Sequence, residues 1–320
     1  MFANRVYELQ AFGNIILSNY SAGMNDKFPN VFIINTKDDV ASILNGYSEE
    51  ELRSFRAKAI RNVMNENTTY HRLHQILKDA DIASDISIEP RVAVVAEAKS
   101  DTIQESFDSQ MYVNKELLTL QEFEERKKEF DYYTFFHEDY IYEEYYLEDL
   151  LSAFNYVDVD FVTKSSLETE HHQFYEGSPN KVHTMFARDE VNGMGYALDM
   201  NEMIEKARGD KHAETLASEP VVSVIVPIHN NGKYLEEKCM KSLQRSSAFN
   251  KMEIIFVDDG SDDGVTGKII NRLMRKHSNI KLKKFDEGSG SASRPRNVGA
   301  RMATGKYITY LDPDNEAIGD

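Results

Sequence analysis

A single cysteine in 320 residues, Cys239, leaves no internal disulfide to form and fits a reducing compartment. Set amid YLEEKCMKSL, it reads as a small buried core residue rather than a nucleophile. No apolar run reaches ~18 residues, so no membrane span is encoded here. The N-terminus, MFANRVYELQAFGN, lacks the basic-then-apolar order of a secretory signal. Cytoplasm is the expected location, with peripheral attachment at the inner membrane face compatible with it. Positive charge is scarce as well. The net charge is −17, and residues 1–220 alone stand at −20. Such an acidic body repels phosphate and argues against nucleic acid as the main partner. The last hundred residues are different, at +3, which suits a small anionic ligand there. No repeat with a period of 20–50 residues is present. With 41% hydrophobic and 28% charged residues, the chain has the composition of a globular protein of two or three domains.

Three blocks follow along the chain. Residues 1–80 open with an amphipathic helical segment, then strand-like NIILS and NVFIIN. A long helical stretch begins at Tyr47, where Ser48 and Glu51 form a capping-box pattern and Leu52, Phe55, Ala59 and Val63 keep helical spacing. Residues 88–210 hold the buried-type strand RVAVVAEA, a charged helix in NKELLTLQEFEERKKEF, the strand DYYTFF and the amphipathic helix EYYLEDLLSAF. NEMIEKARG predicts a helix running into a polar linker near 212–220. Alternating strands and helices make the whole chain α/β.

Residues 219–320 are the most informative. VVSVIVPIHN is a continuous apolar run, as in a parallel strand covered on both faces. KYLEEKCMKSLQRS has helical spacing, and MEIIFVDDGSDDG is a second strand. KIINRLMRKH is a helix, IKLKKF a third strand, and SRPRNVGARMAT a helix with Ser293 as cap, Pro295 in its first turn and Gly305 past its end. KYITYL is the fourth strand. This β-α-β-α-β-α-β series predicts a doubly wound nucleotide-binding sheet, whose ligands lie outside the carboxyl ends of the strands. The notable polar residues fall at those ends. Pro227, His229 and Asn230 follow the first strand, Asp258 and Asp259 end the second, and Asp312 and Asp314 follow the fourth. An aspartate there can accept from a ribose hydroxyl or a base N–H. In an extended chain Asp312 and Asp314 share a face and suit Mg2+ or Mn2+ bound to diphosphate oxygens. Together with Arg296, the metal would offset charge on a departing diphosphate.

These motifs resemble family 2 glycosyltransferases of the GT-A fold over residues 221–320. The resemblance implies nucleotide contacts for Pro227, His229, Asn230 and Asp258. It matches Arg296 and Asn297 to the family's Arg-Asn pair, and Asp312 and Asp314 to its metal-binding Asp-x-Asp. It departs at Asn315, where many members have a third Asp, and at Arg294-Pro295, which replace small residues. The implied partners are a nucleotide-diphospho-sugar, with UDP favoured, and a glycan, teichoic-type polymer or glycoprotein acceptor. Direct, inverting displacement by an acceptor hydroxyl is implied too.

The middle block is similar to a cut-down copy of the same fold, with His137, Glu138 and Asp139 where the Asp-x-Asp would stand. It predicts a degenerate, non-catalytic or acceptor-recognition module. The tyrosines at 132, 133, 140, 142, 145 and 146 read as core and rim, and His171-His172 as no metal pair. Block one resembles the tail of a GT-B glycosyltransferase of the CgeB-like group, placing Glu8 at a donor-contacting position. Against the enzyme reading stands a carbohydrate-binding or scaffold module built from worn-down transferase domains. Only six residues follow Asp314, and of these only Glu316 and Asp320 are acidic. The family's catalytic base lies further downstream, so this segment is expected to bind donor without turning it over.

Overall fold

The computed structural model describes residues 4–28, 30–82, 89–167, 171–188, 193–205 and 220–318. It divides into two compact units, one of residues 1–16 and 50–208, the other of residues 17–49 and 209–320. Residues 1–80 are thus shared between the units, and the linker expected near 212–220 lies almost wholly outside the described residues. Mixed α/β architecture is present in both.

In the second unit the short parallel strands β1 (Leu17–Ser18) and β2 (Phe32–Ile33) pair with each other. Between β2 and the next helix, Thr36 and Asp39 form a capping box that starts the helix Lys37–Asn45, which the sequence reading did not find.

The first unit contains the helices Arg5–Ala11, Glu49–Met64 and Thr69–Asp79. The helical stretch expected from Tyr47 onward is two helices, because Thr68 caps the second by accepting from His71 N. Its large sheet comprises β3 (Val92–Ala96), β4 (Lys115–Thr119), β5 (Tyr132–Phe135), β7 (Phe161–Ser165), β8 (Gln173–Tyr175), β9 (Thr184–Ala187) and β10 (Gly195–Asp199). The order is β4-β3-β5-β9-β7-β10-β8, with β9 and β8 antiparallel to their neighbours. The five residues of β3 are all buried, as its unbroken apolar run predicts. Lys115–Thr119 is a strand where a helix was expected. Leu117 and Leu118 are buried, and the Thr119–Glu122 capping box delays the helix to Leu120–Arg126. Met203–Glu205 (β11) is likewise a strand rather than a helix, paired with β6 (Tyr140–Tyr142). Tyr133, Tyr142 and Tyr146 are core residues, with Phe136 stacked on Tyr142 at 3.8 Å.

The rest of the second unit follows the sequence reading strand for strand. β12 (Val222–Ile228), β13 (Met252–Asp259), β14 (Ile280–Phe285) and β15 (Tyr307–Tyr310) form a wholly parallel sheet in the order β14-β13-β12-β15. That is the 3-2-1-4 order of a doubly wound sheet, so its crevice lies beyond the carboxyl ends of β12 and its neighbours. One face is covered by the helix Thr266–Lys276 and by helical residues 232–244, which include a π-helical stretch, Leu235–Met240. Cys239 is fully buried there, and burial, with a smaller contribution from the Asp312 charge, pushes its thiol up and out of the reactive range. The other face packs on the helix Ser293–Met302. That helix begins without a side-chain cap: Ala292, not Ser293, stands at the cap position. Among the described residues no helix is long and apolar enough to cross a membrane.

Candidate nucleotide site at the carboxyl edge of the second sheet

The register pairs Ile228 with Asp258, so β12 and β13 end level and their following loops meet. Pro227 is buried within the strand, while His229 and Asn230 emerge exposed. Asn230 adopts a left-handed backbone, φ +54°, which asparagine tolerates better than most residues. Its amide N–H donates to Ser261 Oγ at 2.9 Å, and its side chain donates to Asp262 at 2.7 Å. The side-chain oxygen accepts from Asp262 N at 2.9 Å. Asn230 therefore ties the β12 loop to the β13 loop.

The adjacent aspartates have opposite situations. Asp258 is 1% exposed; its Oδ1 accepts from Ser261 N at 3.0 Å, while Oδ2 is buried without a partner. A buried acceptor left without a donor costs on the order of 1–3 kcal/mol, so an atom so placed at a crevice is open to a donor from water or a ligand. Asp259 is saturated. Its carboxylate accepts from Ser289 N at 2.9 Å, from Ser289 Oγ at 2.7 Å and from Arg294 Nε at 2.6 Å. Burial pushes its pKa up, but Ser289 and Arg294 outweigh this and hold it below the usual carboxylate range. Asp259 thus serves the loop rather than presenting itself to a ligand. Sequence reasoning missed Ser261, which holds Asp258 and Asn230, and Ser289 and Arg294, which hold Asp259.

Arg296 donates from Nη2 to both oxygens of Asp312, at 2.7 and 2.9 Å. Asn297 is exposed one residue on. Leu311 N still bonds Ile225 O at 3.1 Å, but after it the chain turns: Asn315 N donates to Asp312 O at 3.0 Å. Asp312–Asn315 is therefore a turn, not the extended segment expected, because Pro313 favours its second position. The two carboxylates are not placed together by strand alternation. Asp312 faces Arg296, and Asp314 is exposed. The donor set still fits a hard divalent cation, since both are carboxylates and Asp314 is unengaged among the described residues. No group of three or more metal-ligating side chains occurs among the described residues, so a cation here would complete its shell with ligand oxygens.

Glu316 is held more firmly than its position near the end of the segment suggests. Its carboxylate lies 3.4 Å from Lys238 and 3.5 Å from Arg245, and Ala317 N donates to Ser242 Oγ at 2.9 Å. In the first unit, His137 and Asp139 are 3.4 Å apart and exposed, and His171 bonds Ser165 O while His172 bonds Ala197 through its backbone. Glu8 is exposed within the first helix.

Residues 223–320 match the family model described as "Glycosyl transferase family 2". Among curated proteins, the chain is 38% identical over 95 residues to the glycosyltransferase GlyG of Streptococcus pneumoniae, covering 30% of each chain. It is 34% identical over 94 residues to TarP of Staphylococcus aureus, a poly(ribitol-phosphate) beta-N-acetylglucosaminyltransferase, covering 29% of this chain and 28% of that protein. A crystal structure of residues 1–349 of Staphylococcus aureus TarS is 33% identical, with 30% and 28% of the two chains covered and a TM-score of 0.28. The chain spans about 30% of the length of the curated relatives it matches. Over residues 223–320, then, the chain is similar to glycosyl transferase family 2.

Proposed function

We propose that residues 219–320 are the donor-binding half of a glycosyltransferase that takes sugar from a nucleotide-diphospho-sugar, a UDP-sugar by preference. The observation that carries this is the bare, buried Oδ2 of Asp258, set at the carboxyl edge of a 3-2-1-4 sheet. It is an acceptor waiting for the N–H of a base. Pro227, His229 and Asn230 form the facing wall, with Arg296 and Asn297 on the helix beyond. The acceptor is a cell-surface polymer, by analogy with TarP, whose name specifies poly(ribitol-phosphate). Residues 88–210, a mixed sheet with its own core, serve acceptor recognition rather than a second transfer.

Asp314, with Asp312, would hold Mn2+ or Mg2+, and when bound that ion would supply positive charge to offset the diphosphate. Arg296 adds a fixed positive charge on the same side, already oriented by Asp312, and that orientation requires no rearrangement when charge develops. Displacement is direct and inverting.

The test is calorimetry with UDP. Asp258→Asn is expected to weaken UDP by about 1–3 kcal/mol, because an amide oxygen kept on Ser261 N turns its NH2 toward the base N–H. Binding to the variant as tight as to the parent overturns the base contact. Asp314→Ala is expected to remove only the gain in UDP affinity that Mn2+ brings, leaving affinity in chelator unchanged. An equal loss with and without Mn2+ would sink the metal role. No UDP binding by the parent at all would favour a carbohydrate-binding or scaffold module instead.

A further inference from the structure

Arg294 stands where the family pattern has a small residue, and its side chain makes three contacts at the site. Its Nε bonds Asp259 at 2.6 Å, its Nη2 donates to the backbone carbonyl of Glu287, and its guanidinium lies over the Phe285 ring at 4.3 Å. One side chain thereby joins the end of β13, the end of β14, the following loop and the first turn of the helix Ser293–Met302. The joined backbones are close. Gly260 has φ +74°, and a Cβ there would meet Gly288 N at 2.3 Å, so only glycine permits this approach.

The same assembly reaches His229. Its Nδ1 lies 2.9 Å from the carbonyl oxygen of Asp259, and its ring lies against Gly288. A carbonyl only accepts, so Nδ1 carries the proton, and of the two neutral tautomers the one with Nε2 as acceptor is the one this contact selects. The Asp259 carbonyl stays in place because its carboxylate is clamped, and the clamp is Arg294 with Ser289. We propose that Arg294 is a positioning residue for the nucleotide pocket: it locks residues 286–293 onto the end of β13 through Asp259. The lock holds His229 as the Nδ1-protonated tautomer. This rests on the donor-site reading above and adds to it the residue that sets the geometry of one wall.

The experiment uses the full chain with 15N-labelled histidine, whose ring shifts report the tautomer without any ligand; His229→Gln identifies its signals among the nine histidines. The parent is expected to show His229 as a single Nδ1-protonated form. In Arg294→Ala the signals should move toward the mixed tautomers of free imidazole, and UDP should bind about tenfold more weakly, as for a misplaced contact. Asp259→Asn should give the same loss, and the double variant no more than either alone. Arg294→Lys keeps the charge but not the fork, and should recover only part of the affinity. If Arg294→Ala does not fold, Arg294→Lys carries the same readouts. Unchanged His229 signals, or additive losses in the double variant, overturn the proposal. A parent that fails to bind UDP overturns the donor-site reading instead, while the tautomer measurement still decides the role of Arg294.

Discussion

Glu253→Ala is expected to destabilise the second unit by several kcal/mol, because a buried donor left unmet costs about 1–3 kcal/mol and Glu253 serves several of them. Glu253 is fully buried at the second position of β13, at the opposite end of the strand from Asp258. Its Oε1 accepts from Ser223 Oγ, from Thr304 N and Oγ1, and from Gly305 N at 2.9 Å, while Oε2 pairs with Lys281 at 2.6 Å. One carboxylate thus fastens four successive pieces of the sheet: β12, β13, β14 and the turn before β15. Removal leaves several donors unmet at once. Burial pushes the Glu253 pKa up, but the bonds from Lys281, Ser223 and Thr304 outweigh it and bring it down to about 2. A group with a depressed folded pKa contributes stability that is complete above its unfolded value. That contribution is lost as pH falls from about 4.5 toward about 2. Denaturant unfolding of parent and variant between pH 7 and pH 3 checks both statements. Equal midpoints at pH 7, or a difference that does not shrink in acid, would refute them.

The second large effect is expected in the first unit. Asp149→Ala should cost about 3–5 kcal/mol there, the range for breaking a buried ion pair by removing one partner and stranding the other charge. Arg61 donates from Nε and Nη2 to Asp149 Oδ1 at 2.9 and 2.7 Å, with Lys164 3.6 Å from the other oxygen and Glu202 3.5 Å from Arg61. All four side chains are at most 9% exposed. The guanidinium also lies over the Tyr145 ring at 3.8 Å. Without Asp149, Arg61 and Lys164 lose the carboxylate they share. Replacing Arg61 and Asp149 together by methionine and leucine should recover part of the loss, since a well-packed apolar pair commonly equals a buried ion pair, while Lys164 and Glu202 still lose the partners they had. A double variant as unstable as Asp149→Ala would show that the ion pair itself, rather than the stranded charge, supplies the stability.

How far the sequence discloses this protein differs between its parts, for a physical reason. In residues 221–310 β12 and β13 are dominated by apolar runs, β14 and β15 are short β-prone segments each following a helix, and each helix keeps its spacing, so element type and order could be read directly, and Asp258 could be placed at a strand end. Lys115–Thr119 was harder. Its charged neighbours follow a helical pattern, and only the Thr119 cap, acting with burial of Leu117 and Leu118, makes it a strand. Asp312 and Asp314 could be named but not oriented, because the turn at Pro313 depends on pairing that a linear pattern does not contain. Arg294 was visible only as a departure; its partner Asp259 lies 35 residues away. Glu253, a lone charge inside an apolar strand, was the signal that could have been followed and was not.

The division of the second unit has a consequence for how this chain is made. Residues 17–49 leave the ribosome well before the rest of their unit, which does not begin until residue 209. At ~5–20 residues per second, translation of the intervening residues takes roughly 8–30 s. Through that interval Phe32, fully buried in the finished unit and seated under the Lys241 ammonium at 4.0 Å, has no Lys241 to meet. The nascent chain must keep an apolar segment waiting while another unit folds between its two parts. A circularly permuted chain that encodes 17–49 directly beside the later strands would shorten that wait without altering the folded contacts. It should refold faster and aggregate less at equal stability.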